Sequence, residues 1–225
     1  MTVDGYEFYV LGSEATLTSV PSTADALRGA VAAAARCRAA ALLVTASPDY
    51  PGGTQVVDVL SAMSAAPLGV VDVVAMDTSP PARVLPGRAD VEVVEVQTHE
   101  HVAEFERTSA LGWGYPSPSD QTLDAAWQNL EPGSFIARCG GVPAGTGGFT
   151  LVGPVARFWG AAVVPAVRGR GVYRGLVASR LRTAAARGAT LALVHAGPAS
   201  SPILQRLGFV KFGERRTFRV VVGTD

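Results

Sequence analysis

The fold of this protein is predicted by the stretch Val163-Val-Pro-Ala-Val-Arg-Gly-Arg-Gly-Val-Tyr-Arg-Gly-Leu176. A strand is expected to end near Val164, because Pro165 cannot donate a further ladder hydrogen bond. The glycines of the Arg-Gly-Arg-Gly segment then allow a tight turn directly into a helix. The N–H groups of such a turn, with the positive end of the helix dipole, form an anion site. The stretch therefore predicts a diphosphate held mainly by main chain.

Two arginines strengthen this prediction. Arg168 and Arg170 add positive charge and can donate hydrogen bonds to phosphate oxygens. The stretch has neither Gly-x-Gly-x-x-Gly nor Gly-Lys-Ser/Thr, so it is not a dinucleotide fingerprint or a P-loop. The alternative interpretation is an arginine-rich helix start whose glycines serve only the turn.

The residues around this loop predict alternating strands and helices. Apolar patterning predicts strands at Val91–Gln97, Phe135–Cys139, Ala144–Leu151, Val155–Val164, Leu191–His195 and Arg216–Val222. Capping residues predict helices from Thr98 to about Leu111 and from Ser119 or Asp120 to Leu130. Further helices are predicted over Gly171–Arg187 and over Ser201–Leu207, the last with Ser200 or Ser201 as a candidate cap. The glycine-rich turns between the strands from Phe135 to Val164 indicate an antiparallel meander.

The loop and its surroundings resemble the GNAT superfamily of acyl-CoA-dependent N-acetyltransferases. In order, the family's loop pattern, Arg/Gln-x-x-Gly-x-Gly/Ala, is matched by Arg168, Gly169, Arg170, Gly171 and Val172. Further along, Leu207-Gly208-Phe209 resembles the end of the family's last helix. The resemblance covers residues 91–225 and implies a GNAT-type α/β (α+β) fold, with a mixed, largely antiparallel sheet flanked by helices.

The resemblance also implies a ligand and site residues. Acetyl-CoA would be the acyl donor, and a primary amine of a small molecule or peptide the acceptor. The main chain near Val163 would meet the pantetheine arm and Arg168–Tyr173 the CoA pyrophosphate, with the thioester in a gap between the family's fourth and fifth strands. Trp113 and Tyr115 lie in a loop that often shapes the acceptor pocket. The alternative is that both are aromatic side chains packed under the loop.

Several positions depart from the family pattern. Tyr173 replaces the usual last glycine or alanine of the loop, and Leu204 stands where many relatives carry a general-acid tyrosine. The frequent glutamate base would fall near Arg157. His195 is the remaining candidate base, because an unperturbed histidine pKa lies near ~6.5. A hydrogen-bonded histidine at a strand end is the structural alternative.

The N-terminal region, residues 1–77, predicts a strand–helix alternation of its own. Its predicted elements, with Ser22 or Thr23 capping the first helix, are Tyr6–Leu11, Asp25–Arg38, Ala40–Thr45, Gln55–Ala65 and Val70–Ala75. The order recurs at Val155–Val222, but Gly12–Thr23 replaces the Arg-Gly-x-Gly turn. We interpret the region as a degenerate GNAT-like half without a CoA site; chance recurrence of a common α/β pattern explains the order equally well. Residues 78–90, rich in proline, form the predicted linker to an acyltransferase domain at 91–225.

Composition excludes several function classes. Hydrophobic residues make up 48% of the 225 residues, which predicts a folded protein. The 19 basic and 19 acidic residues leave no basic excess for a nucleic-acid partner. Arg36 and Arg38 interrupt the alanine-rich run Ala30–Ala41, so no membrane span is expected.

The chain start shows no signal-peptide pattern, and Cys37 and Cys139 form no disulfide-like spacing, so a reducing cytoplasmic setting is expected. His99 and His101 would point to different faces of their helix, so no metal site is predicted. The expected state is a monomer or homodimer.

These observations predict an N-acyltransferase that uses acetyl-CoA and a primary amine. One alternative is a catalytically inactive CoA-binding sensor or interaction protein, because the usual tyrosine and glutamate are missing. The other is a structural α/β protein whose Arg-Gly-Arg-Gly turn binds no ligand.

Overall fold

The structure, a computed structural model, describes residues 1–19, 21–78 and 90–222. The chain forms two compact units, Met1–Val74 with His195–Asp225, and Ala75–Val194. Residues 79–89 of the predicted linker lie outside the described residues. The predicted domain limits, 1–77, 78–90 and 91–225, stay a prediction, and the compact units divide the chain differently.

Strands and helices alternate along much of the chain. The strands are β1 Thr2–Val3, β2 Tyr6–Leu11, β3 Glu14–Leu17, β4 Ala41–Ala46, β5 Ala66–Asp77, β6 Val91–Glu95, β7 Ser134–Cys139, β8 Val142–Val152, β9 Val155–Val163, β10 Leu191–Ala196 and β11 Val210–Val221. The α-helices are α1 Ala24–Arg36, α2 Gly53–Ala62, α3 His99–Trp113, α4 Asp120–Gln128, α5 Val172–Ala186 and α6 Ser201–Arg206.

Every helix and strand predicted from the sequence is present; Tyr6–Leu11 has both ends as predicted, and the others have at least one shifted end. The largest shift is in the last strand, which begins at Val210 rather than Arg216. Two short strands, β1 and β3, were not predicted, and β3 lies within Gly12–Thr23. These strands have too few residues for apolar alternation to identify them; pairing with longer neighbours stabilises them instead.

The unit Ala75–Val194 contains a mixed sheet in the order β10-β9-β8-β7-β6. Neighbours from β6 to β9 pair antiparallel, whereas β9 and β10 pair parallel. A parallel connection needs a long crossover, which α5 supplies between β9 and β10. The predicted mixed, largely antiparallel sheet flanked by helices is therefore confirmed.

Helices cover both faces of this sheet. Thr146 on β8 lies 2.8 Å from Ser109 of α3, hydroxyl oxygen to hydroxyl oxygen. On the next residue, Gly147, an added Cβ would lie 3.3 Å from the guanidinium carbon of Arg180 on α5. Successive strand residues point to opposite faces. Hence α3 and α5 pack on opposite faces of β8.

Local interactions position α3 on its face. Thr98 caps the helix, because its hydroxyl accepts a hydrogen bond from the His101 N–H at 3.2 Å. Glu104 accepts two hydrogen bonds from Arg138 of β7, at 2.8 and 2.7 Å. The predicted cap at Thr98 is confirmed, and the ion pair joins the middle of the helix to the sheet.

The other unit combines residues from both ends of the chain. Its strands lie in the order β1-β2-β3-β4-β11-β5, so the last strand lies between β4 and β5. Strands β3 and β4 are parallel, and β11 pairs antiparallel with β4 from Arg216↔Ala46 to Val221↔Ala41. Buried residues from both chain segments share its core, among them Leu27, Leu42, Val44, Leu60, Phe218 and Val220.

Candidate active site

The predicted anion loop connects β9 to α5. After Val163 the chain forms one turn of 3-10 helix at Pro165–Val167. Gly169 and Gly171 then adopt φ of +79° and +84°, a left-handed conformation that favours glycine. An added Cβ on Gly169 would meet no atom within 4 Å. Both glycines are therefore required by the turn, and the space beside the first is open.

The N-terminus of α5 has no side-chain cap. Gly171 occupies the N-cap position and offers no hydrogen-bonding side chain. The Gly175 N–H donates to the Gly171 carbonyl at 3.0 Å. The N–H groups before it belong to the first helical turn, where an α-helix provides no carbonyl partner. An anion placed here would meet main-chain donors and the positive end of the helix dipole.

The two loop arginines contact protein groups rather than projecting freely. Arg168 donates from Nε to the Val163 carbonyl at 3.1 Å and from Nη2 to the Gly112 carbonyl at 3.2 Å. Its guanidinium therefore ties the loop to the end of β9 and to α3. Arg170 lies 3.4 Å from Asp90, Nη2 to Oδ2. Their predicted contacts with phosphate stay predictions.

Tyr173, the departure from the family loop, lies on the face of α5 that carries Arg180. Residues seven apart on a helix share a face, and Tyr173 is half-buried. Arg180 is buried, and burial lowers its pKa to about 10, an effect that Tyr173 partly opposes. The Arg180 guanidinium donates to the carbonyls of Leu176 and Gly148 and lies 4.6 Å from the Phe158 ring centroid.

Strand β9 changes its pairing close to this loop. Its pairs with β10 run from Val155↔Leu191 to Phe158↔Val194, whereas β9 itself continues to Val163. On its other side, the register with β8 shifts between Thr146 and Gly148, opposite Gly160, whose φ is +62°. The resemblance places the thioester in this part of the sheet.

A cavity of about 290 Å³ lies on the α3 side of the sheet. Its lining is mostly apolar and consists of Val96, Val102, Phe105, Glu106, Ala126, Asn129, Leu130, Glu131, Ser134 and Trp159. The Trp159 indole donates to the Thr150 hydroxyl at 3.0 Å and lies edge-on to Phe105, with ring centroids 6.5 Å apart. The sequence prediction missed this cavity. The available signal was Val102, Phe105 and Glu106 at helical spacing, which places an acid on the apolar face of α3.

Glu106 differs from its neighbour Glu104. Arg138 hydrogen-bonds Glu104 and so lowers the pKa of its carboxyl, despite an opposing contribution from burial. Glu106 is half-buried, and no residue in the described ranges forms an ion pair or hydrogen bond with its carboxylate. Burial alone raises the pKa of Glu106. Among the described residues, no cation therefore pairs with this carboxylate that lines the cavity.

The predicted acceptor-loop aromatics lie at the end of α3. Trp113 and Tyr115 are 53% and 69% exposed, so they are not packed beneath the loop. Gly114 between them ends the helix at φ +76°. Neither aromatic residue lines the cavity. Their role in acceptor binding stays a prediction.

His195 belongs to the unit formed by both chain ends. It is exposed, and its Nδ1 lies 3.2 Å from Nη1 of Arg215. A guanidinium can only donate, so Nδ1 accepts and a neutral imidazole carries its proton on Nε2. A role as base would require this hydrogen bond to be exchanged. That role stays a prediction.

The serines expected to cap the last helix do not cap it. Ser200 donates to the Gly197 carbonyl at 3.2 Å, and Ser201 donates to Asp72 at 2.6 Å. The capping prediction is wrong because a nearby acceptor binds each hydroxyl. Leu204 is completely buried, so it fills the core of its unit.

Within residues 1–19, 21–78 and 90–222, no helix is both long and apolar enough to cross a membrane. In the same part of the chain, no group of three or more His, Cys, Asp or Glu side chains is placed to hold a metal ion.

A glycine turn that leads from a sheet strand into an uncapped helix N-terminus is an arrangement that can bind an anion, and here it lies in an α/β fold. Residues 98–209 match the model of the acetyltransferase (GNAT) family. The chain therefore contains a GNAT acetyltransferase domain. This match spans the anion loop, every residue that lines the cavity except Val96, and the Leu207-Gly208-Phe209 segment.

Solved structures agree with this assignment at the level of fold. A GCN5-related N-acetyltransferase from Kribbella flavida is 18% identical, covers 93% of this chain and 82% of its own, and has a TM-score of 0.67. A tandem GNAT protein from the clavulanic acid biosynthesis pathway is 15% identical, with coverages of 95% and 76% and a TM-score of 0.71. A GCN5-related N-acetyltransferase from Sphaerobacter thermophilus is 13% identical, with coverages of 80% and 59% and a TM-score of 0.64. No curated protein matches the chain.

Proposed function

We propose that this protein is an N-acyltransferase that moves an acetyl group from acetyl-CoA to a primary amine. The observation that carries the proposal is the left-handed glycine turn at Gly169 and Gly171, which leads into the uncapped N-terminus of α5. It lies inside the GNAT-family match. The CoA diphosphate is the ligand whose charge and size suit these main-chain donors. The proposed acceptor is a small molecule or peptide, and the proposed setting is the cytoplasm.

Each loop residue has a proposed role. The main chain from Gly169 to Tyr173, with Arg170 and Val172 between them, would bind the diphosphate oxygens. Arg168 would exchange a carbonyl partner for a phosphate oxygen and thereby release the Val163 carbonyl. That carbonyl would then accept from an amide of the pantetheine arm. The exchange keeps the guanidinium hydrogen-bonded in both states, which limits its cost.

The proposed reaction needs few side chains. The acceptor ammonium first gives a proton to a base, for which we propose His195 or water. The neutral amine then attacks the thioester carbonyl, a C–N bond forms, and the resulting oxyanion is stabilised by main-chain N–H groups of β9. The C–S bond breaks, the sulfur leaves as the thiolate, and the new amide nitrogen gives its remaining excess proton to water. A thiol with a pKa near the ~8.5 of free cysteine can leave as the thiolate. Buried Leu204 supplies no proton at this step.

We also propose that the N-terminal region is a GNAT-like half that binds no CoA. Its β3 and β4 are parallel and joined by α1, as β9 and β10 are joined by α5. The first helix, however, is capped by Thr23, whose hydroxyl accepts from the Ala26 N–H at 3.1 Å. A protein side chain thus occupies the anion-binding position of that helix. The likeness to a tandem GNAT protein supports this proposal.

The function is tested by incubating the protein with acetyl-CoA and a panel of primary amines, and following free thiol release. Amine-dependent release with an N-acetylated product is expected. Binding of CoA without turnover of any amine would favour the inactive sensor, a candidate that the buried Leu204 supports. An unchanged melting temperature at saturating CoA would refute both, because a ligand that binds the native state must stabilise it.

A further inference from the structure

The cavity beside α3 carries charge of one sign only. Its acidic lining residues are Glu106 and Glu131, and its lining includes no lysine or arginine. Glu106 lies on the apolar face of α3, four residues after Val102, which is buried. Burying an ionised carboxylate without a partner is unfavourable, and a ligand cation would relieve that cost. The chemistry complementary to this wall is an ammonium group.

The remaining walls favour a flat apolar body next to that cation. Phe105 and Trp159 meet edge to face, and Leu130 and Val96 complete an apolar surface. The face of an aromatic ring attracts an ammonium group and also packs against apolar groups. A volume of about 290 Å³ lies at the small end of ligand cavities, so it suits a molecule of roughly ten heavy atoms better than a peptide.

The cavity also adjoins the reacting part of the sheet. Trp159 lines it and directly follows Phe158, the last β9 residue that pairs with β10. Gly160, the next residue, has φ +62° at the register shift with β8. An amine held against Trp159 would therefore lie beside the strand segment that we assign to the thioester.

We propose that this cavity binds the acceptor, and that the acceptor is a small arylalkyl or alkyl ammonium recognised by the Glu106 carboxylate and the Phe105–Trp159 wall. This inference rests on the proposed function and names the substrate class of the same site. Glu106 sets specificity for a cationic head group, and the aromatic pair sets it for an apolar body. Peptide amines, which are larger and carry polar backbone, fit it poorly.

The experiment is a binding titration without CoA, so that it does not depend on acetyl transfer. 2-Phenylethylamine is the probe, and 2-phenylethanol is its uncharged counterpart. Binding is followed by NMR at the Trp159 indole N–H, assigned with Trp159→Phe. The amine is expected to shift this resonance and to bind at least tenfold more tightly than the alcohol. Glu106→Gln should remove that preference, whereas Glu100→Gln, an exposed acid on the same helix, should not.

The possible results distinguish a failure of the proposed ammonium site from a failure of the proposed acetyl transfer. Equal affinity of Glu106→Gln and wild type for the amine, or no shift at Trp159, would overturn the cavity assignment even if other amines are acetylated. Glu106-dependent binding supports it. If acetyl-CoA is then not consumed with any amine, the transfer function fails while the ammonium site stands. Glu106→Gln is not expected to unfold the protein, because it removes a half-buried charge that has no ion-pair partner in the described part of the chain.

Discussion

Gly171 gives the sharpest test of the anion loop. Its φ of +84° places it in the left-handed region, where an L-residue costs about 1–2 kcal/mol and a β-branched one more. In Gly171→Val, either the loop keeps its shape and the side chain obstructs the phosphate, or the loop relaxes and its N–H groups turn away. Either result should weaken CoA binding at least tenfold, which corresponds to about 1.4 kcal/mol. Isothermal calorimetry with CoA measures it.

The matched control lies at the other end of the same helix. Gly188 follows α5, has φ +87°, and an added Cβ there would meet no atom within 4 Å. Gly188→Val should therefore lose similar stability through the same backbone cost while binding CoA as wild type does. Unchanged CoA affinity in a folded Gly171→Val protein would refute the diphosphate assignment. Equal losses of affinity in both variants would show a stability effect instead.

Three further predictions concern the acid–base groups and the core. If His195 is the base, His195→Ala should lower the rate about 100-fold and remove the acidic limb of the pH–rate profile. If the variant and wild type have the same acidic limb and the same rate, His195 has a structural role. Leu204→Ala should cost about 2–5 kcal/mol of unfolding free energy because Leu204 is fully buried, yet leave kcat of the folded protein nearly unchanged; a 100-fold lower kcat would contradict this. Glu104→Gln should destabilise the protein by about 1.5–3 kcal/mol at neutral pH, and Glu106→Gln should not. Arg138 lowers the pKa of Glu104 below 4.5, so its native carboxyl binds a proton less tightly than the unfolded one, and the stability that it contributes is lost as pH falls through the native value. Burial raises the pKa of Glu106 instead, so the native carboxyl holds its proton more tightly than the unfolded one. Ionisation of Glu106 therefore lowers the free energy of unfolding as the pH rises. The free energy of unfolding of both variants is measured by denaturant titration from pH 3 to pH 7, roughly the range over which glutamate carboxyls titrate. A change in the same direction in both variants would contradict these expectations.

Local sequence determined the elements and the anion loop. The helix starts at Thr98 and Thr23 could be predicted because a capping hydroxyl acts within a few residues. The turn at Gly169 and Gly171 could be predicted because only glycine adopts positive φ at little cost. The family resemblance rested on two features: the loop that follows β9 and the Leu207-Gly208-Phe209 segment. The family match at residues 98–209 confirms it.

Interactions between distant residues were beyond the sequence patterns. No pattern placed β11 between β4 and β5, because strand neighbours are chosen by pairing across the whole chain rather than by adjacent residues. The serines of α6 looked like caps, but Ser201 donates to Asp72, which lies far away in sequence. The arginines of the loop looked like phosphate ligands, yet Arg168 also bonds the carbonyl at Gly112.

The acceptor cavity depends most on tertiary structure. Spacing alone puts Glu106 beside Phe105 and Val102 on one face of a helix, and there it resembles any half-exposed acid. Folding brings Trp159 from β9 and Leu130, two residues after α4, against that face, and neither is near Glu106 in sequence. The absence of a cation within reach of Glu106 in the described residues is likewise a property of the packed chain, whereas Glu104, two positions earlier, lies beside Arg138. The anion loop was determined by neighbouring residues because turns and helix ends obey local rules; the acid-lined cavity was decided by packing because burial and charge pairing depend on residues that only the fold brings together.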